Sequence, residues 1–139
     1  MLERMEAIDY FAAKLRHEID PADLATLDSP FVLIDVRNDD AWKQGHIPHA
    51  QHVPRAHLDE WITTHDTRVP VVVHCWGPGC NGATKAALRL SQAGVVAREM
   101  IGGFEYWVRE GLPYIAAGAR ARAQADPLVA VTGSHDCGC

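Results

Sequence analysis

Short apolar runs alternate along this chain with stretches whose apolar residues recur at helical spacing, so the pattern reads as strand following helix following strand. Leu2, Met5, Ile8 or Tyr10, and Ala12 predict an amphipathic N-terminal helix over residues 1–13. Leu15 to Ile19 alternates as a short strand, and Asp20-Pro21 then supplies an N-cap with proline at the first helical position, opening a helix that runs through Leu27. Phe31 to Val36 is the run of a buried strand. Asp39 or Asp40 begins a short helix that carries Trp42 and stops at Gly45. Ala50 to Val53 leads into a strand closed by Pro54, and Ala56 to Thr64 forms a helix with Leu58, Trp61 and Ile62 inward.

Val71, Val72 and Val73 are β-branched and follow Pro70, which suits a strand buried on both faces, as in a parallel sheet. The run stops at His74 and Cys75. Gly77, Pro78 and Gly79 make the backbone curl, with positive φ expected at one or both glycines. Asn81 then caps a helix built on Ala83, Ala86, Ala87, Leu88 and Leu90 and ended by Gly94. Val95 to Met100 is one more strand, Gly102-Gly103 a turn, and Phe104 to Arg109 a helix that sends Phe104, Trp107 and Val108 to the core. The order predicts an α/β fold, a parallel sheet with helices on both faces and a site at the strands' C-terminal ends.

Composition adds limits. A chain of 139 residues with 47% hydrophobic content is one globular unit. Its net charge of -5, without a Lys/Arg block, argues against nucleic acid and anionic membrane as partners. Glu3, Arg4, Glu6 and Asp9 interrupt any apolar signal core, and no segment reaches the roughly 18 apolar residues of a membrane span. Four cysteines without a signal segment point to a reducing, cytoplasmic setting and to thiols kept for chemistry. Past Ile115 the composition turns to Ala, Gly, Arg and Ser, which predicts a flexible tail over 116–139 containing Cys137 and Cys139.

The candidate chemistry centres on Cys75. A strand end facing a helix N-terminus, with curled N–H groups between, stabilises an anion and should lower a thiol's pKa. The loop Trp76, Gly77, Pro78, Gly79, Cys80, Asn81 would bind substrate, with Trp76 partly covering its mouth and Lys85 or Arg37 as helpers. A loop that curls round an anion brings its ends together, so Cys80 is a candidate resolving thiol; Cys137 and Cys139, on a reaching tail, are candidate acceptors. His46, His49 and His52 do not make a metal site, because Pro48 keeps their rings from stacking on one helix. No cofactor is expected.

Three segments together carry a family resemblance. The strand-Cys-loop-helix around Cys75 resembles the active-site loop of the rhodanese family. FVLIDVRNDDAWKQGHIPHAQHVP, Phe31 to Pro54, resembles that family's first signature, and MIGGFEYWVREGLPY, Met100 to Tyr114, its closing segment. The resemblance spans 14–115 and implies a rhodanese-like domain with a central parallel sheet of about five strands. It implies a sulfurtransferase that holds sulfur as a persulfide on Cys75, taking it from a small donor such as thiosulfate or a thiol persulfide and giving it to a thiol or protein acceptor. Asp35 and Arg37 would be a structural ion pair, and Phe104 or Trp107 a pocket wall. The loop departs from the family pattern at Trp76 and Cys80, where basic residues are frequent. The alternative is a non-catalytic rhodanese-like redox or binding module using Cys75 and Cys80. Phosphatase or arsenate reductase chemistry lacks its loop-closing Arg, since Asn81 stands there.

Overall fold

The computed structural model describes residues 1–133. Its elements are α1 (Leu2–His17), β1 (Glu18–Ile19), α2 (Pro21–Ala25), β2 (Val32–Asp35), α3 (Asp39–Gln44), β3 (Gln51–His52), α4 (Leu58–Thr64), β4 (Val71–His74), α5 (Gly82–Gln92), β5 (Ala97–Met100), α6 (Gly103–Arg109), β6 (Tyr114–Ala116) and β7 (Ala119–Ala121). Five parallel strands lie in the order β1-β5-β4-β2-β3, with β4 central.

The continuous apolar run of β4 has a direct cause, because both faces of the strand are covered. Val71 and Val73 face a cluster with Ile34, Leu58, Ala86 and Leu90. Val72 faces the opposite cluster, with Leu33, Ile47, Met100, Phe104 and Trp107. All three valines are almost wholly buried, and burying each contributes about 1.5–3 kcal/mol. The α5 helix ends as expected, with Gly94 at φ 84 and its N–H donating to the Ser91 carbonyl.

Three elements differ from the sequence expectation. The N-terminal helix continues to His17 and leaves only Glu18–Ile19 for the strand; Lys14, Arg16 and His17 suit a helix C-terminus, and Lys14 pairs with Glu18 at 2.8 Å. That helix buries none of its residues, so its apolar positions are not an inward face. The expected flexible tail begins, within the described residues, as an ordered hairpin, β6 with β7, turned by Ala117 and Gly118 at φ 50 and 73. Ile115 and His46 exchange both backbone hydrogen bonds, at 2.9 and 2.8 Å. Farther on, the Asp126 N–H donates to the Arg109 carbonyl at 2.7 Å and Ala130 is buried.

Candidate active site

Register brings the functional residues together. Asp35 pairs with His74 across the C-terminal ends of β2 and β4, so the residues just beyond, Arg37 and Cys75, emerge side by side. The Arg37 guanidinium donates through Nε and Nη2 to the Asp35 carboxylate, the shortest contact being 2.7 Å, and through Nη2 to the Gly45 carbonyl at 2.6 Å. Both side chains are fully buried. Burial opposes ionisation of Asp35, yet the hydrogen bonds from Arg37 and the nearby His74 hold its carboxyl below the usual range. His74 is buried too; burial depresses its pKa, and its Nδ1 carries the proton because it meets the carbonyl of Cys75 at 3.0 Å, which only accepts.

Above this pair the same guanidinium lies 4.4 Å from the ring centres of both Trp76 and Phe104. Arg37 thus braces the loop residue Trp76 and the α6 residue Phe104, while its buried Nη1 has no hydrogen-bond partner among the described residues. The Gly102-Gly103 turn docks on the loop. Gly103, at φ 63, would place a Cβ 2.7 Å from the Gly77 nitrogen, and the N–H groups of Phe104 and Glu105 donate to the carbonyls of Cys75 and Trp76 at 3.0 and 2.8 Å. The last two strand-end carbonyls are thus satisfied by α6, which fixes the loop's entry.

The loop itself closes with Cys80 N–H donating to Gly77 C=O at 3.0 Å, and the Cys75 and Cys80 sulfurs come to 2.7 Å. Both are free thiols, Cys75 buried and Cys80 half-buried. A cavity of ≈ 600 Å³ is lined by Cys75, Cys80, Gly77, Pro78, Gly79, Asn81 and Thr84, and on its far wall by Glu99 and Gly102-Gly103. Glu99 accepts a hydrogen bond from the Thr84 hydroxyl at 2.8 Å.

Several expectations change here. Cys75 is not the lowered thiol of the pair: burial, then the hydrogen bond with Cys80, push it up to about 11. Cys80 is partly desolvated as well, but the hydrogen bond from Cys75 and the N–H groups of Gly82 and Trp76 bring it below its ordinary value, with Arg55 adding a favourable charge. Cys80 is therefore the more readily ionised thiol of the two. Neither Gly77 nor Gly79 has positive φ; Gly77 is required instead because a Cβ would meet the Glu105 side chain at 2.6 Å. Asn81 stands at the N-cap of α5 without a side-chain cap hydrogen bond.

Trp76 is 40% exposed and packs edge-on to Phe104, beside Arg37, outside the residues that line the cavity. Trp107 points the other way, donating its indole N–H to the Pro113 carbonyl at 2.7 Å, and lines a separate groove with Leu24 and Leu112. Lys85 is exposed and is not among the cavity's lining residues. Cys137 and Cys139 lie outside the described residues. The three histidines are scattered: His46 and His52 stack on Trp42 at 3.6 and 4.8 Å, and His49 is exposed at φ 67. Arg55, Glu99 and Gly82 are the site residues that sequence reasoning missed; only the position of Arg55, directly after the strand-ending Pro54, hinted at it.

A sequence model of the family described as Rhodanese-like domain matches residues 14–110. The chain is 34% identical over 76 residues to the thiosulfate sulfurtransferase GlpE of Pseudomonas fluorescens, covering 55% of this chain and 69% of that protein. The GlpE of Coxiella burnetii gives 34% over 76 residues, 55% and 70%. Among solved structures, the BH2092 protein of Bacillus halodurans superposes with a TM-score of 0.74 at 33% identity, covering 83% of this chain and 88% of that one. A rhodanese-related protein of Thermoplasma volcanium gives 0.65 at 26%, covering 71% and 97%.

Proposed function

We propose that this chain, which belongs to the rhodanese-like domain family, is a sulfurtransferase that carries sulfane sulfur on Cys75. The observation that carries this reading is the placement of Cys75 directly after the central strand, on a cavity it shares with the loop, Thr84, Glu99 and the Gly-Gly turn. As the thiolate, the Cys75 sulfur attacks the outer sulfur of a donor. A bond forms between the two sulfurs, and the donor's own bond to that sulfur breaks, releasing sulfite from thiosulfate or a thiolate from a thiol persulfide. An acceptor thiolate then takes the outer sulfur and returns Cys75 to the thiolate.

Donor choice follows from charge. Among the described residues that line the cavity there is no Lys or Arg, whereas Glu99 is present. The Arg37 guanidinium engages Asp35, Gly45 and two aromatic rings through Nε, Nη2 and its face, its buried Nη1 is unpartnered among the described residues, and it is not among the cavity's lining residues. Backbone N–H groups must therefore carry the stabilisation that a cation would supply, which favours a thiol persulfide or a protein-borne one over the thiosulfate dianion. Intact mass after incubation with thiosulfate, and separately with a thiol persulfide, tests this: one added sulfur on Cys75 is expected, more completely with the second donor. A Cys75→Ala chain that still transfers sulfur would overturn the assignment.

A further inference from the structure

We propose that Cys80 discharges the sulfur held on Cys75, so that a persulfide meeting no acceptor is released as hydrosulfide and the loop is left as a Cys75–Cys80 disulfide. This rests on the persulfide reading above and adds a second fate to it.

Three observations converge on the pair. The sulfurs are 2.7 Å apart, against the about 2.05 Å of a disulfide bond, so bonding needs only a small further approach. Gly82 is what permits it: a Cβ there would lie 2.9 Å from the Cys75 sulfur and 3.5 Å from that of Cys80. The side chain that would separate the two sulfurs is missing at the one helix position facing both. Thirdly, N–H groups of Gly82 and Trp76 and the charge of Arg55 favour the thiolate of Cys80 and do not depend on a proton at Cys75. Attack on a disulfide or persulfide requires a thiolate, and the loop favours that form on the attacking residue.

The step balances within the loop. The Cys80 thiolate attacks the Cys75 Sγ of the persulfide; the Cys75 Sγ–outer sulfur bond breaks, and the outer sulfur leaves with the electron pair as hydrosulfide, taking the persulfide's proton. The sulfane sulfur is reduced to sulfide, and the two cysteines are oxidised to the disulfide. A dithiol reductant must then return both cysteines to thiols, at two electrons per cycle. The protein would thus act as a sulfane-sulfur reductase whenever acceptor is scarce and dithiol is present. Cys80 half-exposed beside buried Cys75 gives such a reductant its point of entry.

The test uses the full chain with Cys137→Ser and Cys139→Ser, so that only the loop thiols remain. It is loaded with a thiol persulfide, freed of donor and followed by intact mass and hydrosulfide release. The expected result is loss of the persulfide mass, appearance of a chain two hydrogens lighter than the reduced one, fragments that map Cys75 joined to Cys80, and one hydrosulfide per chain. In Cys80→Ser the persulfide should last roughly tenfold longer or more, since an intramolecular attacker has been removed. A persulfide that forms on Cys75 and decays equally in both chains, or hydrosulfide without the mapped disulfide, would overturn the discharge step and leave sulfur transfer standing. No persulfide on Cys75 in either chain would remove both. The disulfide mapping needs no loop variant, so it decides the matter even if Cys80→Ser folds poorly.

Discussion

Replacing Arg37 with Met isolates the charge beneath the site. The Met side chain keeps apolar contact with Trp76 and Phe104 but removes three hydrogen bonds to Asp35 and one to the Gly45 carbonyl. Asp35 is fully buried, and breaking a buried pair by removing one partner costs about 3–5 kcal/mol. At about 3–4 °C per kcal/mol for a chain of this size, the expected fall in Tm is roughly 10–15 °C near neutral pH. The pH dependence separates charge from packing. In the parent, the Asp35 pKa is lowered below its ordinary 3.8, so the carboxylate's contribution is fully present above that value and is lost as pH falls through the lowered one. In Arg37→Met the unpaired buried carboxyl has a raised pKa and takes up a proton earlier, so the gap in Tm should narrow between about pH 7.5 and about pH 5. Adding Asp35→Leu should recover part of the loss, because replacing both partners leaves no uncompensated charge and unpairs two neutral groups, the Gly45 carbonyl and the backbone N–H of residue 37. Thermal unfolding by circular dichroism reads all of this. A fall below about 1 kcal/mol, or a gap that does not change with pH, would show that the pair is not held as a desolvated ion pair.

Two further outcomes follow from the cavity. Gly82→Ala should push the sulfurs apart at an overpacking cost of about 1–3 kcal/mol, partly offset by alanine's helix preference, and without the Cys75 hydrogen bond the Cys80 pKa should rise; slower alkylation of Cys80 near neutral pH is the readout. Glu99→Gln keeps the Thr84 hydrogen bond and removes the negative wall, which should raise kcat/KM for thiosulfate by about fivefold, corresponding to about 1 kcal/mol, and leave an uncharged donor unaffected. High salt should erase that gain.

The frame was legible because its signals are local. Val71 to Val73 and Gly94 declare a doubly covered strand and a helix end, and the Asp-Val-Arg and Gly-Gly-aromatic segments declared their roles only through the family they resemble. What stayed hidden depends on relative placement. The spacing of Phe104 and Trp107 marks both as inward, but only the seating of α6 sends Phe104 towards Arg37 and Trp107 towards α2. The loop glycines suggested unusual dihedrals, whereas Gly77 and Gly82 matter through what packs on them. A strand end before a helix start predicts a lowered thiol, and that the lowered one is Cys80 rather than Cys75 depends on a contact between two loop ends. The hairpin that starts at Tyr114 has strands of three residues each, rich in alanine, too short for a periodic signal, which is why composition alone marked it as a tail.

That hairpin bears on where this domain may be cut. The match to the family ends at residue 110, yet Ile115 is hydrogen-bonded through both backbone groups to His46, the residue after the Gly45 carbonyl that anchors Arg37. A fragment trimmed to the family boundary would free an N–H and a C=O there and loosen the segment under the loop. Arg109 extends the same brace, pairing with Glu105 over Gly77 on one side and with Asp126 on the other. The practical end of the folded unit therefore lies beyond residue 110, and excision, fusion or grafting of this domain should keep the chain at least through Ala130.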